Sequence, residues 1–327
     1  MLKITNDILQ FLDNGKCVVL VLLDMSAAFD TVDYKIFVDR LCTQNNVNGC
    51  VKLWMSSYLT ERTQFVRVKG AESEKIPLTC GLPQGSYIGP TGFKAYIRPL
   101  SQIALSHGLK IHQYADDTQL YIDCEPDNIS ETIANVESCV EDMKFWLTQN
   151  CLKLNTDKTE MLLIGSRAKL SKFDSVEMRI GDDRIVPKKS VRNLGVIIDD
   201  TMSMENHVNN VCKQCYIQLR YLSRIRRFLT TEAAECLIHA FITSRLDGLN
   251  SLLTELPAKL IDKLQRIQNN AARLVLKLRK FDHISDALHP GHCSDSIGYQ
   301  FVSEYSFKLY YVCISLFVIL DQPISVK

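Results

Sequence analysis

Residues 111–122 read Ile-His-Gln-Tyr-Ala-Asp-Asp-Thr-Gln-Leu-Tyr-Ile, with the adjacent carboxylates of Asp116 and Asp117 set between two stretches suited to extended chain. Tyr, Ile, Leu and Thr fit a pleated, half-buried strand, and Asp tolerates the left-handed backbone that a tight hairpin demands. The pattern predicts a β-hairpin with Asp-Asp at its turn. Such a turn can hold metal ions, although an isolated Asp-Asp pair is more often a solvated turn. A second acidic position weighs against the solvated reading. Cys17-Val-Val-Leu-Val-Leu-Leu23 is a continuous apolar run that reads as a strand buried on both faces and delivers Asp24 at its end. A carboxylate there needs compensation, either from a cation or by capping a helix that begins near Ser26. Between the acidic positions lies Gly81-Leu-Pro-Gln-Gly-Ser-Tyr-Ile-Gly-Pro90, whose glycines permit close approach of backbone to a ligand and whose Gln84 offers a donor and an acceptor.

Taken in order, the three segments resemble motifs A, B and C of reverse transcriptases, in wording close to that of jockey-like non-LTR (LINE-type) retrotransposons. Leu23-Asp-Met-Ser-Ala-Ala-Phe-Asp-Thr-Val-Asp33 is similar to motif A, Gly81 to Pro90 to motif B, and Tyr114-Ala-Asp-Asp-Thr-Gln-Leu-Tyr121 to motif C. Leu152-Lys-Leu-Asn-Thr-Asp-Lys-Thr-Glu-Met-Leu-Leu-Ile-Gly165 resembles motif D, and Val191-Arg-Asn-Leu-Gly-Val-Ile-Ile-Asp199 the primer-grip motif E. The likeness runs from about residue 1 to about residue 288.

The resemblance implies two-metal nucleotidyl transfer: a primer 3′-hydroxyl attacks the α-phosphate of a dNTP on an RNA template, with two Mg²⁺ ions (Mn²⁺ as substitute) about 3.5–4 Å apart. Hard cations call for carboxylate oxygens. By that resemblance Asp24 and Asp116 bridge the metals, Asp117 supports the site, and the main-chain carbonyl of Met25 completes one coordination shell. Lys158 becomes either the proton donor to pyrophosphate or a solvated lysine. Phe29, five residues after Asp24, is either the aromatic ring that excludes a 2′-hydroxyl or a core residue of the segment after motif A. Gln84 and Gly85 line the base pair and nucleotide, or form a plain loop.

Composition sets the remaining bounds. With 327 residues, 46% hydrophobic and 23% charged, the chain can bury a core and carry an appended domain. No secretory signal and no apolar run of about 18 residues are visible, so an intracellular, non-secreted protein of nucleus or cytoplasm, without membrane contact, is expected. The 12 cysteines read as reduced thiols. Cys212-Lys-Gln-Cys215 fits a helix-face pair of buried thiols better than half a zinc site, because no second pair at ligand spacing follows.

Charge is unevenly distributed. Residues 1–204 carry 23 Lys and Arg against 26 Asp and Glu, whereas residues 205–283 carry 13 against 7. In the basic region Val208, Val211, Cys212, Cys215, Leu219, Leu222 and Ile225 recur at helical spacing, as do Ile261, Leu264, Ile267, Ala271, Leu274, Val275 and Leu278. Arg220, Arg224, Arg226, Arg227, Lys263, Arg266, Arg273 and Lys277 accompany the stripes. They suit a helical thumb that grips primer-template phosphates, or an ordinary solvated basic face.

The expected fold is therefore α+β: a reverse-transcriptase palm over residues 1–204 with the fingers largely missing, a helical thumb-like region over 205–288, and an unrelated or poorly ordered tail over 289–327. The chain starts almost at motif A, so basic finger residues that hold a triphosphate, and an upstream endonuclease, are expected to be absent. The expected function is RNA-directed DNA synthesis from dNTPs with an RNA template and a DNA primer. Two alternatives stay open: a catalytically silent remnant that only binds nucleic acid, and a relative of RNA-dependent RNA polymerases or maturases.

Overall fold

The computed structural model describes residues 1–173, 175–248, 250–253, 256–279 and 282, so the expected tail and the last residues of the expected thumb lie outside the described residues. The described residues form two compact units, Asn6–Val191 and Met1–Thr5 with those from Arg192 onward.

The first unit opens with the part of α1 (Leu2–Asp13) from Asn6 on and with β1 (Cys17–Ser26), followed by α2 (Tyr34–Asn45) and α3 (Gly49–Leu59). Four short strands come next: β2 (Thr63–Gln64), β3 (Arg67–Val68), β4 (Ala71–Glu72) and β5 (Ile76–Pro77). Then follow α4 (Gly89–Ile97), α5 (Leu100–Ser106), β6 (Lys110–Tyr114), β7 (Asp117–Cys124), α6 (Ile129–Gln149) and β8 (Lys153–Ile164). The unit closes with α7 (Arg167–Leu170), β9 (Met178–Ile180), β10 (Asp183–Ile185) and the start of β11 (Ser190–Asn193). Its main sheet is antiparallel in the order β6-β7-β1-β8. The predicted apolar strand is longer than its apolar run, because pairing continues to Ser26 and sets Asp24 inside the strand rather than at its end.

Burial explains how the sheet sits. Val19, Val21, Leu23 and Met25 of β1 join Leu120 and Cys124 of β7 in one core with Phe93, Tyr96 and Ile97 of α4 and Val136, Val140 and Met143 of α6. Each such side chain withdrawn from water contributes roughly 1.5–3 kcal/mol. Asp33 caps α2, its carboxylate accepting from the backbone N–H groups of Lys35 and Ile36 at 2.9 Å each. Arg40 of α2 lies over the rings of Tyr96 (4.8 Å) and Trp146 (4.9 Å) and donates to the Tyr96 carbonyl and to Asn150 Oδ1, joining α2, α4 and α6.

The second unit contains β12 (Val196–Asp199), paired with β11, then α8 (Glu205–Ile225), α9 (Thr231–Ile238), α10 (Ser244–Leu246) and α11 (Ala258–Val275). The predicted stripes are its core: Val208, Cys212, Cys215, Leu219 and Leu222 of α8 are buried, as are Leu264, Ile267, Ala271 and Val275 of α11. Cys212 and Cys215 are thus buried thiols, and burial is the main cause that raises both pKa values. His207 is also buried; burial first, then Arg192, lower its pKa, which keeps it neutral at physiological pH.

Within the first unit, the turn after β1 is zipped to the loop before α4. The N–H of Gly81 donates to the Val32 carbonyl (2.9 Å), that of Leu82 to the Phe29 carbonyl (2.7 Å), and the Tyr34 hydroxyl to the Cys80 carbonyl (2.9 Å). Gly81 adopts φ +93°, and a Cβ there would lie 2.9 Å from the Asp30 carbonyl oxygen. Backbone cannot yield as a flexible side chain can. Gly81→Ala should therefore destabilise the protein by about 3 kcal/mol and lower its melting temperature by about 6–12 °C. An unchanged calorimetric transition would show that the zipper is loose.

Candidate active site

Strand register carries Asp24 to the Asp-Asp turn. The β1–β7 ladder runs from Cys17↔Cys124 to Leu23↔Thr118, so Asp24 directly follows the last paired residue of β1 and Asp117 directly precedes that of β7. Directly opposed residues of an antiparallel pair have Cα atoms about 5 Å apart and share a face. Asp24 lies on the face of β1 opposite to the buried Leu23 and Met25, so it is turned away from the core. Met25 itself is 4% exposed, and its side chain is committed to packing.

Ala115 and Asp116 form the two-residue turn between the paired Tyr114 and Asp117. The strained residue is Ala115, at φ +54°, and not either aspartate. This corrects the sequence expectation: the methyl-bearing residue takes the left-handed conformation, and the aspartates keep negative φ. Partial desolvation, then the charges of Asp116 and Asp24, raise the Asp117 pKa. The turn and strand are therefore electrostatically coupled. Among the described residues, however, no three acidic, histidine or cysteine side chains are gathered into a ready cation cage.

The Asp24 carboxylate is engaged from the side of β8. Pairing of β1 with β8 goes from Leu22↔Glu160 to Asp24↔Asn155, so β8 carries a bulge between them. Asn155 Nδ2 donates to Asp24 Oδ2 at 3.0 Å, and the Lys158 ammonium stands 3.5 Å from the same oxygen. Lys158 is 69% exposed, so the pair is worth little in stability. Asn155 was missed from sequence. Its signal is the polar interruption Asn-Thr-Asp-Lys-Thr-Glu between Leu154 and the apolar Met161–Ile164.

Phe29 is half-buried, its ring stacked on Phe93 at 4.7 Å. Gln84 and Gly85 are exposed; the Gln84 amide donates to Asp30 Oδ1 at 3.0 Å, a link between the motif A and motif B segments that sequence did not reveal.

The basic residues of the second unit divide by environment. Arg220, Arg224, Arg227 and Arg266 are exposed, and Arg227 lies over the Phe228 ring at 4.6 Å. Lys263 donates to Asn209 Oδ1 (2.7 Å) and pairs with Glu205 (3.7 Å). Arg273 is half-buried, donating to Asn270 Oδ1 and the Asp282 carbonyl. Arg226 overturns its expectation as a phosphate contact. It is 7% exposed, and its guanidinium donates to the carbonyls of Leu274 (2.9 Å), Leu229 (2.7 Å) and Val275 (2.6 Å), satisfying the end of α11.

An antiparallel sheet whose inner strand carries an aspartate next to an Asp-Asp hairpin, with helices packed on the other face, has the make-up of a polymerase palm; a mainly helical unit follows it in the chain. Residues 3–198 match the family described as reverse transcriptase (RNA-dependent DNA polymerase), and the chain belongs to that family. It is 23% identical over 215 residues to the RNA-directed DNA polymerase from mobile element jockey of Drosophila melanogaster, covering 64% of this chain and 22% of that protein. It is 24% identical over 287 residues to the probable RNA-directed DNA polymerase from transposon BS of the same species, covering 84% of this chain and 30% of that protein. The chain thus spans less than a third of the length of these relatives. Among solved structures it is similar to telomerase from Candida albicans, with TM-score 0.42 and 13% identity over 96% of this chain and 53% of that one. The family uses divalent metal ions and binds RNA templates. No helix among the described residues is long and apolar enough to cross a membrane.

Because the folded state holds the Asp117 proton more tightly than the unfolded chain does, its ionisation opposes folding. The favourable contribution is full below the ordinary carboxylate pKa, near 4, and is lost as pH rises through the higher folded value. In chelator at pH 7, Asp117→Asn should raise the melting temperature, by no more than about 3 °C for an exposed group. The gain should shrink as pH falls toward 4. A lower melting temperature at pH 7 would mean that Asp117 is stabilised in the fold.

Proposed function

We propose that this chain is the RNA-directed DNA polymerase domain of a non-LTR retrotransposon, transferring a nucleotide from a dNTP to a primer 3′-hydroxyl on an RNA template. The observation that supports the reading is the β1–β7 register, which ends at Leu23↔Thr118, next to Asp24 on one strand and Asp117 on the other.

The donor chemistry fits divalent metals. Carboxylate oxygens are the ligands Mg²⁺ and Mn²⁺ prefer, and Asp24 already sits beside a cationic group, the Lys158 ammonium, at 3.5 Å. Asp24 and Asp116 would hold two such ions, with Asp117 and the Met25 carbonyl completing the set. When bound, the metals activate the attacking hydroxyl and stabilise the charge on the leaving pyrophosphate.

The remaining roles belong to the chain itself. Lys158, flexible and exposed, delivers a proton to the leaving pyrophosphate. Phe29, steadied by Phe93, excludes a 2′-hydroxyl with its ring. Gln84, oriented by Asp30, lines the nucleotide together with Gly85. The palm takes residues 1–204 and the thumb begins at 205. Its exposed Arg220, Arg224, Arg227 and Arg266 contact phosphates, while Lys263 and Arg273 are partly committed to intramolecular partners.

One observation favours a second reading, a nucleic-acid-binding remnant without catalysis: three metal ligands are not gathered among the described residues. Primer extension on a primed RNA template by the purified chain separates the two. Synthesis that needs Mg²⁺ or Mn²⁺ and is lost in Asp24→Asn and Asp116→Asn supports the polymerase; binding without synthesis supports the remnant. In an active preparation, Phe29→Val should raise the ratio of rNTP to dNTP use at least about tenfold, since about 1.4 kcal/mol of steric exclusion corresponds to that factor. The ratio is the test, because the smaller side chain also leaves a cavity against Phe93 that lowers both rates. An unchanged ratio would leave Phe29 a core residue only.

The thumb assignment has its own measurement. Replacing Arg220, Arg224 and Arg227 together with Ala should weaken duplex binding uniformly across sequences and reduce the salt dependence by about 0.9 for each phosphate that is no longer neutralised. Arg226→Ala should instead lower the melting temperature, because it removes the guanidinium that donates to the carbonyls of Leu274, Leu229 and Val275. An unaltered salt slope in the triple variant would make the basic face a solvated surface.

A further inference from the structure

We propose that Asn155 is a positioning residue for the Asp24 carboxylate, fixing the orientation in which Asp24 receives a divalent cation. The inference rests on the metal-binding reading of Asp24 and extends it to a residue outside the carboxylate set.

Geometry carries the argument. Asn155 is the residue paired with Asp24 where the β1–β8 ladder resumes after the bulge, so its Cα position is fixed by the sheet. Its amide nitrogen donates to Asp24 Oδ2 at 3.0 Å, the assignment a carboxylate acceptor requires. Its backbone carbonyl accepts from the hydroxyl of Thr159 at 2.9 Å, and Thr159 is buried, so Asn155 is tethered from behind across the bulge. Both Asn155 and Lys158 address Oδ2, which leaves Oδ1 to face a cation.

The two partners differ in what they do when a cation arrives. The Lys158 ammonium competes with it for the same negative charge and, being largely exposed, leaves without disturbing packing. The neutral amide of Asn155 brings no charge to the contest and can stay in place. A hydrogen-bond donor behind a ligating carboxylate fixes its direction, and removing such a partner typically costs roughly 10–100-fold in metal affinity.

The test is a Mn²⁺ titration of the whole chain followed by electron paramagnetic resonance, with metal-free melting temperatures measured alongside. Asn155→Ala should weaken Mn²⁺ binding roughly 10–100-fold. Asn155→Thr, which keeps a donor, should bind more tightly than the isosteric Asn155→Val, which has none. Equal affinities for the Thr and Val variants, or wild-type affinity in the Ala variant, would overturn the proposal. If the Ala variant does not fold, the Thr and Val pair decides in the same way. Asp24→Asn separates the two levels of inference. If it leaves Mn²⁺ affinity unchanged, the metal-site reading fails and takes the proposal with it. If it abolishes binding while Asn155→Ala has no effect, the positioning role alone is refuted.

Discussion

Pairing of β1 along both of its edges is the constraint on which the first unit depends. β7 meets it on one side and β8 on the other, so β1 has no free edge along which to shift. Successive strand side chains alternate between faces, and a slip of one residue would drive Asp24 into the core while ejecting Leu23 and Met25. Val19, Val21, Leu23 and Met25 resist that slip, since each is buried in the main core. Residues with no chemistry of their own therefore set the position of the carboxylate that has it. The same register fixes where the Asp116–Asp117 turn must stand relative to Asp24.

That arrangement works against folding locally. Ala115 sits at φ +54°, where a Cβ is disfavoured, and Asp117 faces the negative charges of Asp116 and Asp24. Neither feature is needed to close a hairpin: Gly at 115 and a neutral residue at 117 would be more favourable. Both are tolerated because the adjoining strand interior is strongly determined, with Thr118, Gln119, Leu120 and Tyr121 all buried. Local rules broken beside a well-packed strand are the pattern expected where function, not stability, has set the residue.

Most of the architecture was legible in the sequence, and the exceptions have physical causes. The apolar run of β1, the helical stripes of α8 and α11 and the hairpin around Asp116 follow from periodicity, because burial on one face leaves a direct mark on residue type. Propensity favours Asp in left-handed backbone and so points to an aspartate rather than Ala115 as the strained residue, while register decides which residue occupies the turn. Charge alone groups Arg226 with the phosphate contacts. Its position continues the buried series Cys215, Leu219 and Leu222, four residues beyond the last of these, and a guanidinium on a buried stripe must find backbone acceptors. Spacing held that information and residue type concealed it. Gln84 with Asp30, and Asn155 with Asp24, are pairs of distant residues brought together only by the fold, and no local pattern reveals such partners.

The bulge in β8 explains why a strand so apolar at its end carries polar residues near its start. An unbroken ladder opposite Asp24 would offer one side chain on the open face for every two residues. The bulge places four residues, Thr156, Asp157, Lys158 and Thr159, where a regular ladder has one between the partners of Leu22 and Asp24, so two side chains, Asn155 and Lys158, reach one carboxylate oxygen. The irregularity is tolerated because Leu154 and Met161 remain buried on either side and Thr159 ties the loop back to the Asn155 carbonyl. What the strand loses in ladder hydrogen bonds it regains as two interactions of different kinds, one tethered and neutral, the other mobile and charged. A regular strand could not supply both at one aspartate, and a free loop would not hold the tethered one still.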